Sequence, residues 1–171
     1  MKYKHLHHVD LPNHYQFITF RTHESLDFFL EKLTKQNKPN NMKQLEIDKY
    51  LDASNNGSYL NEAVLTYLYD FLINKNNELY ELAAFNIMPN HVHLLFKPIL
   101  QLTNVMQKLK GNSAYQINKM LNLKGRFWAN NYYDKLIRDE RHFNVVYNYI
   151  KNNHANLNEK DTVKRFYGVY E

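Results

Sequence analysis

Met88-Pro89-Asn90-His91-Val92-His93-Leu94-Leu95-Phe96 is the stretch from which the fold of this chain is read. Pro89-Asn90 is a turn signal, and the apolar run after the histidines reads as a buried strand leaving that turn. Strand side chains alternate between faces, so His91 and His93 project together while Val92 points away. Two imidazoles on one face of a rigid strand supply part of a metal site that still needs an oxygen ligand. The competing reading is a strand carrying two hydrogen-bonded histidines. Upstream, Leu79 to Ile87 also reads as a strand, and the turn joins the two as an antiparallel hairpin.

Working outward, Tyr15 to Arg21 is β-rich and reads as a strand. Leu26, Phe29, Leu30 and Leu33 repeat at helical spacing and predict a helix from about Glu24 to Lys35. The polar region 36–58 is the one plausible insertion, with a short helix around Leu45, Ile47, Tyr50 and Leu51. A second helix runs from Tyr59 to about Asn74. A third spans about Asn104 to Leu121, with Met106, Leu109, Ile117 and Leu121 facing inward. Tyr132 to Arg138 reads as a strand, and Asp139 or Glu140 opens a last helix that reaches about Asn153. The tail from Arg165 to Tyr170 carries no decisive pattern. The order is βαββαβ with extras, which predicts an α+β, ferredoxin-like sandwich, an antiparallel sheet covered by helices. Residues 1–171 form one domain in this reading, with a core of about 15–156.

The composition narrows the functional classes. Hydrophobic content of 44% and charged content of 23% are those of an ordinary globular protein. The absence of cysteine excludes disulfides and thiolate metal sites. No apolar run approaches the roughly 18 residues of a membrane span, and residues 1–14 lack the apolar core of a signal peptide. A cytoplasmic protein with no membrane partner is expected. Net charge is +5, and 101–141 carries all of it, with eight basic residues against three acidic ones. Such asymmetry is the electrostatic footprint of a nucleic-acid surface, with a solvated helix face as the alternative. Lys108, Lys110, Lys119, Lys124, Arg126 and Arg138 are the candidate DNA contacts. Trp128 has two readings, base stacking and core packing, of which packing is the simpler.

The last helix holds the remaining chemistry. Phe143, Val146, Tyr147 and Ile150 form one apolar stripe, so Tyr147 is a packing residue. Tyr149 lies roughly 110° from the centre of that stripe, and Asn153 stands one turn further on. A helix packed on the sheet brings both over His91 and His93. Asn153 then offers an amide oxygen to complete a His-His-Asn set, and Tyr149 a nucleophile for a metal-polarised phosphate. The alternative is a tyrosine exposed on an amphipathic helix.

At this point a family resemblance enters. It rests on Phe17-Ile18-Thr19-Phe20-Arg21-Thr22, the Met88 to Phe96 stretch, Leu109-Lys110, Trp128, Tyr133-Asp134-Lys135-Leu136-Ile137-Arg138-Asp139-Glu140, and Tyr149-Ile150-Lys151-Asn152-Asn153. In that order, from Tyr15 to about Asn156, the chain resembles the single-tyrosine HUH transposases, and most closely their REP-associated tyrosine transposase branch. The resemblance implies His91 and His93 as metal ligands, Tyr149 as nucleophile and Asn153 as third ligand. His154 stands where that branch has proline, and is a competing ligand. It further implies Mg²⁺ or Mn²⁺, a 5′-phosphotyrosine intermediate, and single-stranded or hairpin DNA as partner. A homodimer and a monomer both agree with the chain. The rival reading is a non-catalytic single-stranded nucleic-acid-binding module on the same fold.

Overall fold

The computed structural model describes residues 10–23, 33, 36–158 and 163–171. Among these residues five strands form one antiparallel sheet: β1 (Gln16–Arg21), β2 (Tyr80–Ile87), β3 (His91–Pro98), β4 (Tyr133–Leu136) and β5 (Phe166–Gly168). Their order across the sheet is β4-β1-β3-β2-β5. The first four in that order make the sandwich expected from the sequence, and β5 extends it at the β2 edge. Among the described residues four longer helices accompany them: α1 (Asn40–Ala53), α2 (Glu62–Asn74), α3 (Leu102–Leu121) and α4 (Glu140–Asn152). The helix expected from about Glu24 to Lys35 lies outside the described residues, apart from a helical, buried Leu33.

Strand β3 is central and buried on both faces. One face carries Val92, Leu94 and Phe96, which join Ile18, Phe20, Phe85 and Ile87 beneath α2 and α3. The helices answer with Leu65, Leu68 and Leu72 from α2 and with Val105, Met106 and Leu109 from α3. The opposite face carries Leu95, which packs with Phe17, Ala84 and the Val146, Tyr147 and Ile150 stripe of α4. This division follows from period-two alternation in the strands and the helical stripe in α4. Trp128 belongs to the first core. It is buried, its indole N–H donates to Ser113 Oγ at 2.9 Å, and its ring meets Phe20 edge-on.

Two features go beyond the expected outline. The short helix of region 36–58 is a full 14 residues, Asn40–Ala53, and starts directly after Pro39. Its burial pattern is mixed, with Leu51 and Asp48 buried and Leu45 exposed. The tail becomes β5 because Arg165 anchors it. Its buried guanidinium donates to Leu60 O, Ile87 O and Asn61 Oδ1 at 2.7–3.0 Å. A run of three strand residues shows too little alternation for sequence reading, so the anchor decides.

Candidate active site

The ladder sets the floor of the site. His93 pairs with Thr19 on β1 and with Asn86 on β2, and His91 pairs with Arg21. Both imidazoles are fully buried and share the α4 face. Their Nε2 atoms stand 3.1 Å apart. Each ring is fixed from behind: His91 Nδ1 meets Asn90 Oδ1 at 2.8 Å, and His93 Nδ1 meets Thr19 Oγ1 at 2.8 Å. The Asn90 amide nitrogen donates to Leu51 O, Ser54 O and Asn56 O, which assigns its oxygen as the acceptor. His91 therefore donates from Nδ1 and keeps the lone pair of Nε2 for the site. Burial pushes both imidazoles down, His93 to about 3 and His91 well below its usual value, so the rings are neutral. Neutral rings with an oriented Nδ1–H are the ligand form.

Helix α4 closes one side. Asp139 caps its start, accepting from His142 N at 2.7 Å, and the apolar stripe seats it on β2 and β3. Tyr149 is thereby brought against the histidines within the same chain, its ring centroid 5.3 Å from that of His93 and 6.0 Å from that of Phe17. Asn153 follows where the α-helix tightens into a 3-10 turn, Asn153–Asn156. Its amide lies beside the phenol. Its oxygen Oδ1 is buried and has no hydrogen-bond partner among the described residues. His154 Nδ1 accepts from the Asn86 amide at 2.8 Å, so that nitrogen is engaged.

Helix α1 contributes two side chains that the sequence reading left out. The Tyr149 phenol donates to Asp48 Oδ2 at 2.8 Å, and Gln44 donates to Asp48 Oδ1 at 2.8 Å. One turn later Asp52 Oδ1 stands 3.6 Å from His91 Nε2. Burial, partly offset by the bonds from Tyr149 and Gln44, raises Asp48 from 3.8 to about 6. Burial and the neighbouring Asp48 raise Asp52 from 3.8 to about 6. Tyr149 is pushed well above 10 by burial first, then by the charges of Asp48 and Asp52, with the Asn153 amide pulling the other way. The sequence signal for this pair was carboxylates at i and i+4, which share a helix face. The apolar positions of the same helix drew attention elsewhere.

No three His, Asp, Glu or Cys side chains are clustered as a ready metal cage among the described residues. The donors present nevertheless suit a divalent cation. Two ligands at about 2.1 Å from one ion and at right angles to each other are separated by roughly 3.0 Å, close to the spacing of the two Nε2 atoms. The mixed nitrogen and oxygen set of His91, His93 and Asn153 suits a borderline-to-hard ion such as Mn²⁺.

The basic residues divide by exposure. Lys108, Lys119, Lys124, Arg126 and Arg138 are exposed. Lys124 and Arg126 share a shallow recess with Tyr59, Asn118 and Phe127. Lys110 is tied inward: its ammonium donates to Ala129 O and Asn130 O at 2.6 and 3.1 Å, and burial together with Arg21 and Arg126 lowers it to about 8.

Comparison with curated proteins returns no match. A solved structure described as "Structure of the REP associates tyrosine transposase bound to a REP hairpin" aligns with 90% of this chain and 73% of that one, at 12% identity and a TM-score of 0.52, and shares the fold. A putative transposase from Deinococcus radiodurans R1 aligns with 90% of this chain and 98% of that one, at 20% identity and a TM-score of 0.46. The sequence model of the family described as "Transposase IS200 like" matches residues 49–153, a span that takes in Asp52, the paired histidines, Tyr149 and Asn153. The chain belongs to the IS200-like transposase family.

Proposed function

We propose that this transposase-family protein is a metal-dependent single-stranded DNA endonuclease and strand transferase that works through a 5′-phosphotyrosine on Tyr149, with hairpin DNA as substrate. One observation carries the reading: a tyrosine phenol lies beside two buried, neutral imidazoles whose Nε2 atoms converge to 3.1 Å. His91, His93 and Asn153 would hold Mg²⁺ or Mn²⁺. When bound, such a cation withdraws charge from a non-bridging oxygen of the scissile phosphate.

The protein's own residues do the rest. Tyr149 Oη attacks phosphorus, the bond from phosphorus to the 3′-oxygen breaks, and the departing oxygen takes up a proton to become a free 3′-OH. The phenol proton has an acceptor in place, Asp48 Oδ2, already hydrogen-bonded to it at 2.8 Å. An ionised tyrosine is disfavoured here, so proton removal coupled to attack is the economical route. One phosphoester is exchanged for another, so a second 3′-OH can reverse the step and join new ends without a nucleotide cofactor. The exposed Lys108, Lys119, Lys124, Arg126 and Arg138 supply the charge that grips a backbone. The neighbouring fold with a REP hairpin bound makes a folded palindrome the first substrate to try.

The test uses a 3′-end-labelled hairpin oligonucleotide with Mn²⁺, denatured in detergent before electrophoresis. Label migrating with wild-type protein, and absent for Tyr149→Phe, is the expected result. Cleavage without a protein-linked label would mean that water is the nucleophile. Binding without cleavage in both proteins would leave a nucleic-acid-binding module.

A further inference from the structure

We infer that Asp52 of α1 is a ligand of the divalent cation held by His91 and His93, so that the metal centre is built jointly by strand β3 and helix α1. The inference rests on the metal-binding half of the function proposed above and adds a residue to it. Asp52 Oδ1 is 3.6 Å from His91 Nε2, the same nitrogen that faces His93 Nε2 at 3.1 Å. Two donor atoms from different elements, Asp52 Oδ1 of α1 and His93 Nε2 of β3, thus flank one imidazole nitrogen. No hydrogen bond holds the Asp52 carboxylate among the described residues, and its side chain is about one-third exposed. It is free to rotate the fraction of an ångström that separates this spacing from the roughly 3.0 Å between neighbouring ligands of one ion.

The placement of Asp52 is not incidental to the histidines. Asn90 fixes both at once. Its oxygen holds His91 Nδ1, and its nitrogen holds the carbonyls of Leu51 and Ser54, which bracket Asp52 in the chain. A single side chain therefore sets the imidazole and the carboxylate in register, which is the work of an outer-shell residue at a metal site. A second, independent observation lies on the neighbouring 3-10 turn. Asn153 Oδ1 is nine-tenths buried with no partner among the described residues, a donor whose demand a cation would meet. Charge argues the same way. Asp48 and Asp52 stand one turn apart on the face that meets Tyr149 and His91, and a scissile phosphate would bring a further negative charge to that spot. Like charges gathered in a partly desolvated site are tolerated when a cation sits among them. The resulting set, two imidazoles, one carboxylate and one amide oxygen, favours a harder ion than imidazoles alone and leaves positions for phosphate oxygen.

The test is a Mn²⁺ titration of the full chain without DNA, following free Mn²⁺ by electron paramagnetic resonance. Wild type, Asp52→Ala, Asp52→Asn, His91→Ala and Tyr149→Phe are compared, with thermal unfolding in chelator to establish that each is folded. Expected are one bound ion in wild type, unchanged affinity in Y149F, loss of binding in H91A, and at least fivefold weaker binding in D52A. If D52A does not fold, the isosteric D52N decides by the same threshold. A D52A or D52N affinity within fivefold of wild type, alongside a loss in H91A, overturns the role of Asp52 and leaves the histidine site standing. No binding by wild type, or equal binding by wild type and H91A, overturns both this inference and the metal in the proposed reaction.

Discussion

Tyr149 donates its phenolic hydrogen to Asp48 Oδ2 at 2.8 Å across 101 residues of chain. The bond joins the helix that follows β4 to a helix that precedes the whole hairpin. It sets both the proton path proposed for the reaction and a cost to the folded protein. The carboxyl of Asp48 is buried, and its folded value of about 6 lies above the unfolded 3.8. Between those values the folded protein keeps a proton that the unfolded chain has released. The stabilising contribution of that proton is fully present below about pH 3.8 and is lost as pH rises through about 6. Asp48→Asn removes this titration. The stability difference between D48N and wild type, measured in chelator, is therefore expected to move by about 2 kcal/mol in favour of the variant between pH 4 and pH 7.5. A difference that stays flat over that range would mean that Asp48 is not buried as described.

Asn90 makes one bond to the His91 ring and three to the end of α1 and the turn after it. Asn90→Ala strips a buried donor and acceptor from both sides, at a cost of about 3 kcal/mol in urea unfolding. It also frees the His91 ring to rotate, and ring-orienting residues typically change metal affinity by about 10–100-fold. Both losses are expected together. Lowered stability with unchanged Mn²⁺ affinity would place the imidazole's orientation under other control.

Gly168 is required in β5 by a close approach. A Cβ built there would sit 2.0 Å from Tyr147 Oη, which is held by the Tyr170 amide. Gly168→Ala is expected to cost about 2 kcal/mol or more through overpacking, and Tyr147→Phe in the same protein to restore part of it. Urea midpoints of the two single variants and the double variant test this, and strict additivity would refute the contact.

Lys124 and Arg126 are exposed, whereas the Lys110 ammonium is engaged by the Ala129 and Asn130 carbonyls. Lys124→Ala with Arg126→Ala is expected to leave folding intact and to weaken hairpin binding, lowering the slope of log K against log salt by about 0.7–0.9 for each lost phosphate contact. Lys110→Ala is expected to do the reverse, lowering the melting temperature with little change in the salt slope. Binding isotherms at several salt concentrations, beside melting curves, separate the two.

The sheet, its central histidine strand and the stripe of α4 were legible in the sequence because each is a local pattern repeated over several residues. For Trp128 the sequence left base stacking and core packing open, with packing the simpler, and the structure sets it against Phe20 and Ser113. Asp48 and Asp52 were not. Their helix buries Asp48 beside Leu51 and leaves Leu45 in solvent, so the apolar signal did not mark a clean inward face. Strand β5 escaped notice because a buried arginine, 78 residues from the carbonyl of Ile87 that it grips, holds it in place.

Period and residue type along the chain by themselves determined that His91 and His93 share a face, that Tyr149 leaves the buried stripe and that Asn153 follows one turn behind it. Only tertiary packing decided that the two imidazole nitrogens approach to 3.1 Å, and that a helix from a polar segment lays a carboxylate against the phenol. The physical reason is range. Backbone sterics and burial of apolar stripes act over a few residues, whereas the meeting of charged and polar groups from distant segments depends on how whole elements dock.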